Sequence, residues 1–118
     1  MPSVEGRSFD RPDEVRSPDK TRVELVNLAG SQLGRYTFEP GWRWSECIRP
    51  VAKTDSCQIE HVGYVVSGRL HVEHADGTVG EVSNGDVYHV APGHDAWVVG
   101  DEPVTLVEFQ GAAHYAEG

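Results

Sequence analysis

The sequence predicts an all-β protein, an antiparallel sandwich or barrel with little or no helix. From Thr21 onward, runs of alternating apolar and polar residues recur about every ten residues, which is typical of strands in such folds. Turn residues separate the runs, and the 13 Gly and 7 Pro of the 118-residue chain supply many of them. Between two of the runs, Asn84-Gly85 is a strong hairpin signal.

Each predicted strand is an alternating run that ends at a turn signal such as Gly30, Pro40-Gly41 or Gly68. In chain order, the predicted strands cover residues 21–28, 32–39, 42–48, 57–66, 69–74, 78–82, 86–91, 94–99 and 104–109. Residues 51–56 are predicted to form a loop, and residues 111–118 a short tail.

Two of these strands show which of their side chains share a face. Leu70 and Val72 point one way while their neighbours point to solvent, so this strand is predicted to be half-buried. In the last strand, Val104, Leu106 and Glu108 share a face, and the opposite face is also largely apolar. We therefore expect another layer or another subunit to cover that strand on its second side.

The first 20 residues differ in composition and hydropathy pattern from the rest of the chain. They are polar, contain three prolines and show neither a helical stripe nor strand alternation. Residues 1–20 are therefore predicted to form an N-terminal extended arm, and residues 21–118 the β-barrel domain. The arm is either partly disordered or lies on a neighbouring subunit.

The charge balance excludes some classes of partner. Ten Lys and Arg against 19 Asp and Glu give a formal net charge of −9, which repels nucleic-acid phosphates and anionic lipid surfaces. No apolar run approaches the roughly 20 residues of a membrane span. The N-terminal segment MPSVEGRSFD has no hydrophobic stretch of the signal-peptide type. A cytoplasmic location is therefore expected.

The two cysteines, Cys47 and Cys57, are too few to define a disulfide scaffold. Three interpretations are open at this point: two buried free thiols, one disulfide, or a thiolate with a chemical role.

Two segments resemble the motifs of the cupin family. The first runs from His61 to Gly68 and continues into the strand at Arg69, and the second runs from Gly85 to His94 with a Gly-Asp opening and a Pro-Gly turn. Cupin motifs have the forms G-x5-H-x-H-x3–4-E-x6-G and G-x5-P-x-G-x2-H-x3-N. The resemblance covers about residues 36–110 and implies a small double-stranded β-helix, or jelly roll.

The metal-ligand positions of the cupin motifs do not carry the usual residues. The glutamate position falls on His61, and the two histidine positions fall on Asp55 and Cys57. The histidine position of the second motif falls on Ala96, with His94 two residues earlier. The resemblance therefore implies the fold and the location of the site, but not the usual ligand set.

Strand periodicity suggests a different ligand set at the same location. Cys57 and His61, four residues apart on a strand, share a face, and so do His94 and Ala96. Cys57, His61 and His94 would bind a divalent metal ion and leave one of its coordination positions open. The thiolate favours zinc, with iron or nickel as alternatives. Otherwise Cys57 is a core residue, His61 is a hydrogen-bonded pocket residue and His94 lies in a loop.

If no metal binds, His61 and His94 are the best acid–base candidates, since an imidazole titrates near neutral pH. Glu46 is the third candidate catalytic residue. In a strand over residues 42–48 it would share a face with Trp42 and Trp44, and burial there would raise its pKa. If that face points outward, Glu46 is a solvated charge.

Aromatic side chains are predicted to shape the ligand pocket, although each is also a plausible core residue. Asp95 is a candidate to orient His94 if the chain turns at Gly93. The predicted ligand-binding residues are Trp44, Tyr64, Tyr88 and Trp97. The histidines expected at the surface, with no assigned role, are His71, His74, His89 and His114.

The resulting hypothesis is a small-molecule-binding cupin. It is an enzyme that uses a divalent metal or His and Glu acid–base groups, or alternatively a metal-free binding or sensory module. The fold hosts both classes, so the resemblance does not choose between them. Small cupins commonly pair, and the arm with the two-sided last strand would form the interface of a homodimer.

Overall fold

The computed structural model describes residues 3–116 and confirms an all-β architecture. The strands are β1 (Glu14–Arg16), β2 (Thr21–Leu28), β3 (Ser31–Phe38), β4 (His61–Ser67), β5 (Arg69–His74), β6 (Val79–Ser83), β7 (Val87–Val90), β8 (His94–Val98) and β9 (Val104–Gln110). The helices are α1 (Trp44–Cys47) and α2 (Arg49–Ala52), with a 3-10 turn over Ala112–His114. No helix within residues 3–116 has the length and apolar character needed to cross a bilayer.

The strands form two antiparallel sheets. One has six strands in the order β1-β2-β3-β9-β4-β7, and the other has three in the order β6-β5-β8. In β9, Val104, Leu106 and Glu108 are buried and share the inner face, as predicted. This strand lies in the middle of the larger sheet, between β3 and β4, so its side chains reach the centre of the molecule.

The core lies on the inner faces of the sheets and is rich in aromatic residues. Phe38 and Trp42 stack with ring centroids 3.8 Å apart, and Tyr36 contacts Phe38 edge to face. The Trp42 indole N–H donates to the Thr21 hydroxyl, so its polar atom is satisfied inside the core. These rings line one end of the space in which the candidate site lies.

Residues 42–48 contain a helical turn, so the prediction of a strand there is wrong. Trp44, Cys47 and Ile48 are all buried, and their spacing of three and four residues defines one face of a helix. The Asp95 carboxylate accepts from the Ser45 backbone N–H at 3.1 Å, which satisfies a donor in the first turn. Glu46 is exposed on the opposite side of this turn.

Part of the predicted arm belongs to the larger sheet. β1 pairs with β2 of the same chain, with Val15 opposite Glu24. The Arg7 guanidinium donates to the Asp13 carboxylate at 2.8 Å, which holds the preceding segment against the same sheet. The sequence shows no alternation here because β1 has only three residues, none of them buried. Met1 and Pro2 of the arm lie outside the described residues.

Candidate metal centre

Three buried side chains converge inside the fold: Cys57, His61 and His94. One ligand atom from each lies within 4.8 Å of the others. Cys57 is fixed by backbone pairing with His94, since the Cys57 N–H donates to the His94 carbonyl at 2.8 Å. His61 opens β4 and His94 opens β8, so the group joins the two sheets.

The His61 ring is held by a buried carboxylate. Its Nδ1 lies 2.7 Å from Oε1 of Glu108, which is 2% exposed. The other carboxylate oxygen accepts from the Tyr88 hydroxyl at 2.6 Å. Because Glu108 accepts at Nδ1, the proton of His61 is placed there and Nε2 faces Cys57, 3.5 Å from Sγ.

His94 is held in the same tautomer by a different acceptor. Its Nδ1 donates to the backbone carbonyl of Ala91 at 2.8 Å. Its Nε2 is therefore the nitrogen that is free to act as a ligand. An acceptor on the second nitrogen is the usual support of a metal-binding histidine, because it fixes both the tautomer and the ring orientation.

Cys57 and His61 alter each other's titration. Burial alone would raise the pKa of the Cys57 thiol, but hydrogen bonds from His61 and His94 outweigh it and lower that pKa to about 6. Burial alone would lower the pKa of His61, but its hydrogen bonds to Cys57 and Glu108 raise it to about 10. Without a metal ion, the two groups therefore form a thiolate–imidazolium pair at neutral pH.

The donor set fits a divalent metal ion. A zinc ion bonded to nitrogen at about 2.0 Å and to sulfur at about 2.3 Å separates these ligand atoms by about 3.5 Å in tetrahedral geometry. The distance between Cys57 Sγ and His61 Nε2 matches that value. If these three groups held a zinc ion, its fourth position would be open, as in catalytic zinc sites.

Two glycines allow the chain to approach this centre closely. A Cβ on Gly63 would lie 2.7 Å from the Tyr88 hydroxyl, so only glycine leaves room for the contact between Tyr88 and Glu108. Gly111 has φ +105°, and a Cβ there would lie 2.6 Å from the Glu60 carbonyl and 3.1 Å from His61 Nδ1. We expect Gly111→Ala to displace the segment that packs on His61.

The centre borders a small interior cavity of about 30 Å³, defined here as the interior cavity. That volume accommodates about two water molecules. One buried donor in its wall, the Trp44 indole N–H, has no hydrogen-bond partner in the described residues. Burial and the nearby Glu108 carboxylate raise the pKa of Tyr36, which also lines the cavity, well above its usual value. The interior cavity is lined by Tyr36, Phe38, Trp42, Trp44, His61, Leu70, Val72, Tyr88, Val90, His94, Ala96, Leu106, Glu108 and Tyr115.

The structure brings together most of the residues that the sequence indicated. His61 and His94 line the interior cavity with Trp44 and Tyr88, and Cys57 lies beside His61. Cys47 is a free buried thiol away from this group, and burial raises its pKa. There is no disulfide between the two cysteines.

Four predicted residues lie elsewhere. Glu46 is exposed on α1, so it is neither desolvated nor inside the fold. Tyr64 is on the outer face of β4, because it is an odd number of residues from His61, and it is 38% exposed. Trp97 is on the outer face of β8 and stacks on His71. Asp95 contacts Arg43 and Ser45 rather than His94.

Glu108 and Tyr115 are the main residues that the sequence did not assign to the site. A carboxylate that shares a face with Val104 and Leu106 was the available signal for Glu108, because a lone buried charge requires a partner. Of the histidines without an assigned role, His89 and His114 are exposed, and His71 and His74 are half-buried.

Comparisons with known proteins support the fold alone. No protein-family model and no curated protein sequence matches the chain. An RmlC-like cupin from Shewanella frigidimarina is similar in structure, with a TM-score of 0.61 and 20% identity over 93% of this chain and 94% of that one. Oxalate decarboxylase from Lactobacillus farciminis has a TM-score of 0.64 and 14% identity, covering 96% of this chain but 35% of the enzyme.

A third similar structure is KdgF from Halomonas sp., with a TM-score of 0.58 and 17% identity over 83% of this chain and 86% of KdgF. These neighbours share the cupin architecture, and the larger and smaller sheets described above match it. This chain is therefore a small protein with the cupin fold.

Proposed function

We propose that this protein is a small-molecule-binding cupin and an enzyme that uses a divalent metal ion held by Cys57, His61 and His94. The observation that carries the proposal is the orientation of the two histidines. Both are held at Nδ1 by an acceptor, so both present Nε2 beside a buried cysteine. The presence of oxalate decarboxylase among the similar structures supports catalysis in this fold.

The donor set favours zinc, with iron and nickel as alternatives, since a thiolate selects soft or borderline ions. When bound, the metal ion would supply Lewis acidity at its open position. The chain's own residues supply the rest: Glu108 holds His61 in orientation, and Tyr88 holds Glu108. The aromatic walls of the interior cavity exclude bulk water and restrict the size of the ligand.

Elemental analysis of protein purified without added metal tests this proposal. We expect close to one zinc, iron or nickel per chain in the unmodified protein, and loss of that metal in Cys57→Ala and His94→Ala. Matched controls are Cys47→Ala, which removes the other buried thiol, and His89→Ala, which removes a histidine from the surface. Both controls should retain the metal.

Absence of metal from the unmodified protein after reconstitution with zinc, iron(II) and nickel would contradict the proposal. Equal metal content in Cys57→Ala and Cys47→Ala would contradict the assigned ligands. Because the centre is buried, each variant is first compared with the unmodified protein by thermal unfolding, so that loss of the fold is not mistaken for loss of a ligand.

A metal-free binding module is the second candidate, and the contact between Cys57 and His61 supports it. A thiolate and an imidazolium satisfy each other's charge, so the centre is stable without an ion. In that case the protein binds or senses its ligand without catalysing a reaction. The two free cysteines also support a reducing compartment such as the cytoplasm.

We also propose a homodimer that forms through an apolar patch on the outer face of β4, β7 and β9. The five patch residues are between 36% and 79% exposed. They are Val62, Tyr64, Val66, Val87 and Phe109. Because each chain carries a net charge of −9, two copies associate most readily through a mainly apolar surface.

A Val87→Lys and Phe109→Lys double variant is expected to convert a dimer into a monomer, since it places charges within the patch. Light scattering after size-exclusion chromatography measures the mass. Val79→Lys is the matched control, because Val79 is 58% exposed on β6, in the other sheet. A monomeric unmodified protein at high concentration, or a dimer that survives the double variant, would exclude this interface.

A further inference from the structure

A second cavity lies directly behind the wall of the interior cavity. It has a volume of about 190 Å³ and is defined here as the outer cavity. Its apolar wall includes Ile48 and Ile59, and Cys57 of the candidate metal centre also lines it. Trp44 and Tyr115 line both cavities, so these two aromatic residues form the partition between them.

Tyr115 occupies space beside the metal centre. Its ring centroid lies 5.5 Å from that of His61 and 4.7 Å from that of Tyr36, and the residue is 3% exposed. It is carried by the segment that follows β9, after the sharp bend at Gly111. Like Trp42, and unlike the remaining walls of the interior cavity, Tyr115 belongs to neither a strand nor a helix.

Arg16 of β1 binds the backbone of this segment. The Arg16 guanidinium Nη1 donates to the backbone carbonyls of Ala113 at 3.0 Å and Tyr115 at 2.8 Å. Its Nε donates to Glu14 at 2.7 Å. These bonds fix the backbone of the segment from outside the cavities, and Arg16 lines neither cavity, so substituting it removes no atom from either wall.

The partition contains a buried donor that has no acceptor among the described residues. This donor is the indole N–H of Trp44, which is 2% exposed. A buried donor without an acceptor is costly, and a ligand that accepts hydrogen bonds would remove that cost.

We propose that the two cavities form one ligand site with Tyr115 as its gate. The ligand is a small carboxylate with a ring-sized apolar body. The body lies in the outer cavity against Ile48 and Ile59, and the carboxylate enters the interior cavity and accepts from the Trp44 indole N–H. The preference for a carboxylate over a neutral headgroup rests on the proposed metal ion, whereas the outer cavity and the gate do not.

The test uses three probes on the full-length protein: benzoate, acetate and benzyl alcohol. Benzoate has both the body and the headgroup, acetate has the headgroup alone, and benzyl alcohol has the body with a neutral headgroup. Binding to metal-loaded and chelator-treated protein is measured by calorimetry, and rates are measured by stopped-flow tryptophan fluorescence. We expect benzoate to bind metal-loaded protein at least about tenfold more tightly than acetate, because its ring is buried.

The gate is tested with Arg16→Ala, Tyr115→Ala and Tyr115→Phe. Releasing the segment or removing its ring should increase the association rate of benzoate about tenfold, since opening then limits entry less. Tyr115→Phe keeps the ring and should behave as the unmodified protein. If Tyr115→Ala does not fold, Arg16→Ala carries the same test, because Arg16 lines neither cavity.

The outcomes separate this inference from the proposed metal centre. If no metal is found but benzyl alcohol still binds faster to Arg16→Ala, the gate and the outer cavity hold and the metal centre does not. If metal is present but benzoate binds no better than acetate, the outer cavity is not part of the site. Association rates unchanged by Arg16→Ala and Tyr115→Ala would overturn the gate.

Discussion

Glu108→Ala is expected to lower the free energy of unfolding of the metal-free protein by about 3–5 kcal/mol, which is the usual cost of removing one partner from a buried charged pair. The carboxylate is 2% exposed and lies 2.7 Å from His61 and 2.6 Å from the Tyr88 hydroxyl. Its removal leaves two buried donors, the His61 Nδ1–H and the Tyr88 hydroxyl, without their acceptor. Urea unfolding at neutral pH measures the loss.

Glu108→Gln is the milder variant and examines the metal centre itself. The glutamine amide has the shape of the carboxylate but only one oxygen, so it can accept from His61 or Tyr88 but not from both. The His61 ring then loses part of its support, and metal affinity should fall about 10- to 100-fold. Competition with a chromophoric chelator gives the zinc dissociation constant for each protein.

Glu60→Gln provides the matched control, because Glu60 also pairs with a histidine. Its carboxylate lies 2.9 Å from His89 Nε2, but both side chains are about half exposed. An exposed pair of this kind contributes little to stability. Glu60→Gln should therefore change the free energy of unfolding by no more than about 0.5 kcal/mol and leave zinc affinity unchanged. Equal zinc affinity in Glu108→Gln and Glu60→Gln would remove Glu108 from the centre.

The strands were predictable because alternation is a local property of the sequence. In β9, the buried positions of Val104 and Leu106 followed from their spacing alone. Alternation predicted a strand over residues 42–48, and this prediction is wrong because Trp44, Cys47 and Ile48 also fit the spacing of a helical face. The Asp95 carboxylate, from a segment about fifty residues away, helps to select the helical turn.

The candidate centre was predictable only where its residues lie in the motif-bearing segments. Cys57 and His61 are four residues apart, and His94 ends the second motif. Glu108 is opposite Gly63 in the pairing of β9 with β4, and that register depends on bulges with no signature in the sequence. Tyr115 reaches the centre because the chain bends at Gly111, and strand alternation does not predict such a bend. The sequence therefore failed to predict Glu108 and Tyr115 because their positions depend on contacts between distant segments of the chain.

In chelator-treated protein, Cys57 is expected to be a thiolate at neutral pH and to titrate with a pKa of about 6. The ultraviolet absorbance of the thiolate follows this titration in a Cys47→Ala background. Cys47 itself, measured in a Cys57→Ala background, should stay protonated, because burial raises its pKa and no cation opposes that effect strongly enough. The two cysteines of one chain are thus expected to differ in charge.

His61→Ala should convert the Cys57 thiolate into a neutral thiol at neutral pH. The variant removes the largest of the interactions that lower the thiol pKa, while burial continues to raise it. We expect the thiolate fraction at neutral pH to fall about tenfold or more, since each pKa unit is a factor of ten. His71→Ala is the matched control, because His71 stacks on Trp97 outside the centre. An unchanged titration of Cys57 in His61→Ala would show that His61 does not set its charge.

The same pair determines how the stability of the metal-free protein depends on pH. The lowered pKa of Cys57, about 6 against 9.0, contributes stability that is present above pH 9.0 and is lost as the pH falls through 6. The raised pKa of His61, about 10 against 6.5, contributes stability that is present below pH 6.5 and is lost as the pH rises through 10. Between pH 6.5 and 9.0, stability therefore rises with pH through Cys57 and falls with pH through His61.

The two slopes cancel in that interval because the folded and unfolded states bind one proton each, on the imidazole in one and on the thiol in the other. We therefore expect the pair to add no pH dependence to the stability in that interval. Its contribution should decline only below pH 6.5 and above pH 9.0. Urea unfolding of the unmodified protein and of a Cys57→Ala variant across this range isolates the contribution. In Cys57→Ala the opposing slope of the thiol is lost, so the stability contributed by His61 should already decline from pH 6.5. Identical pH profiles for the two proteins would mean that the thiolate–imidazolium pair does not form.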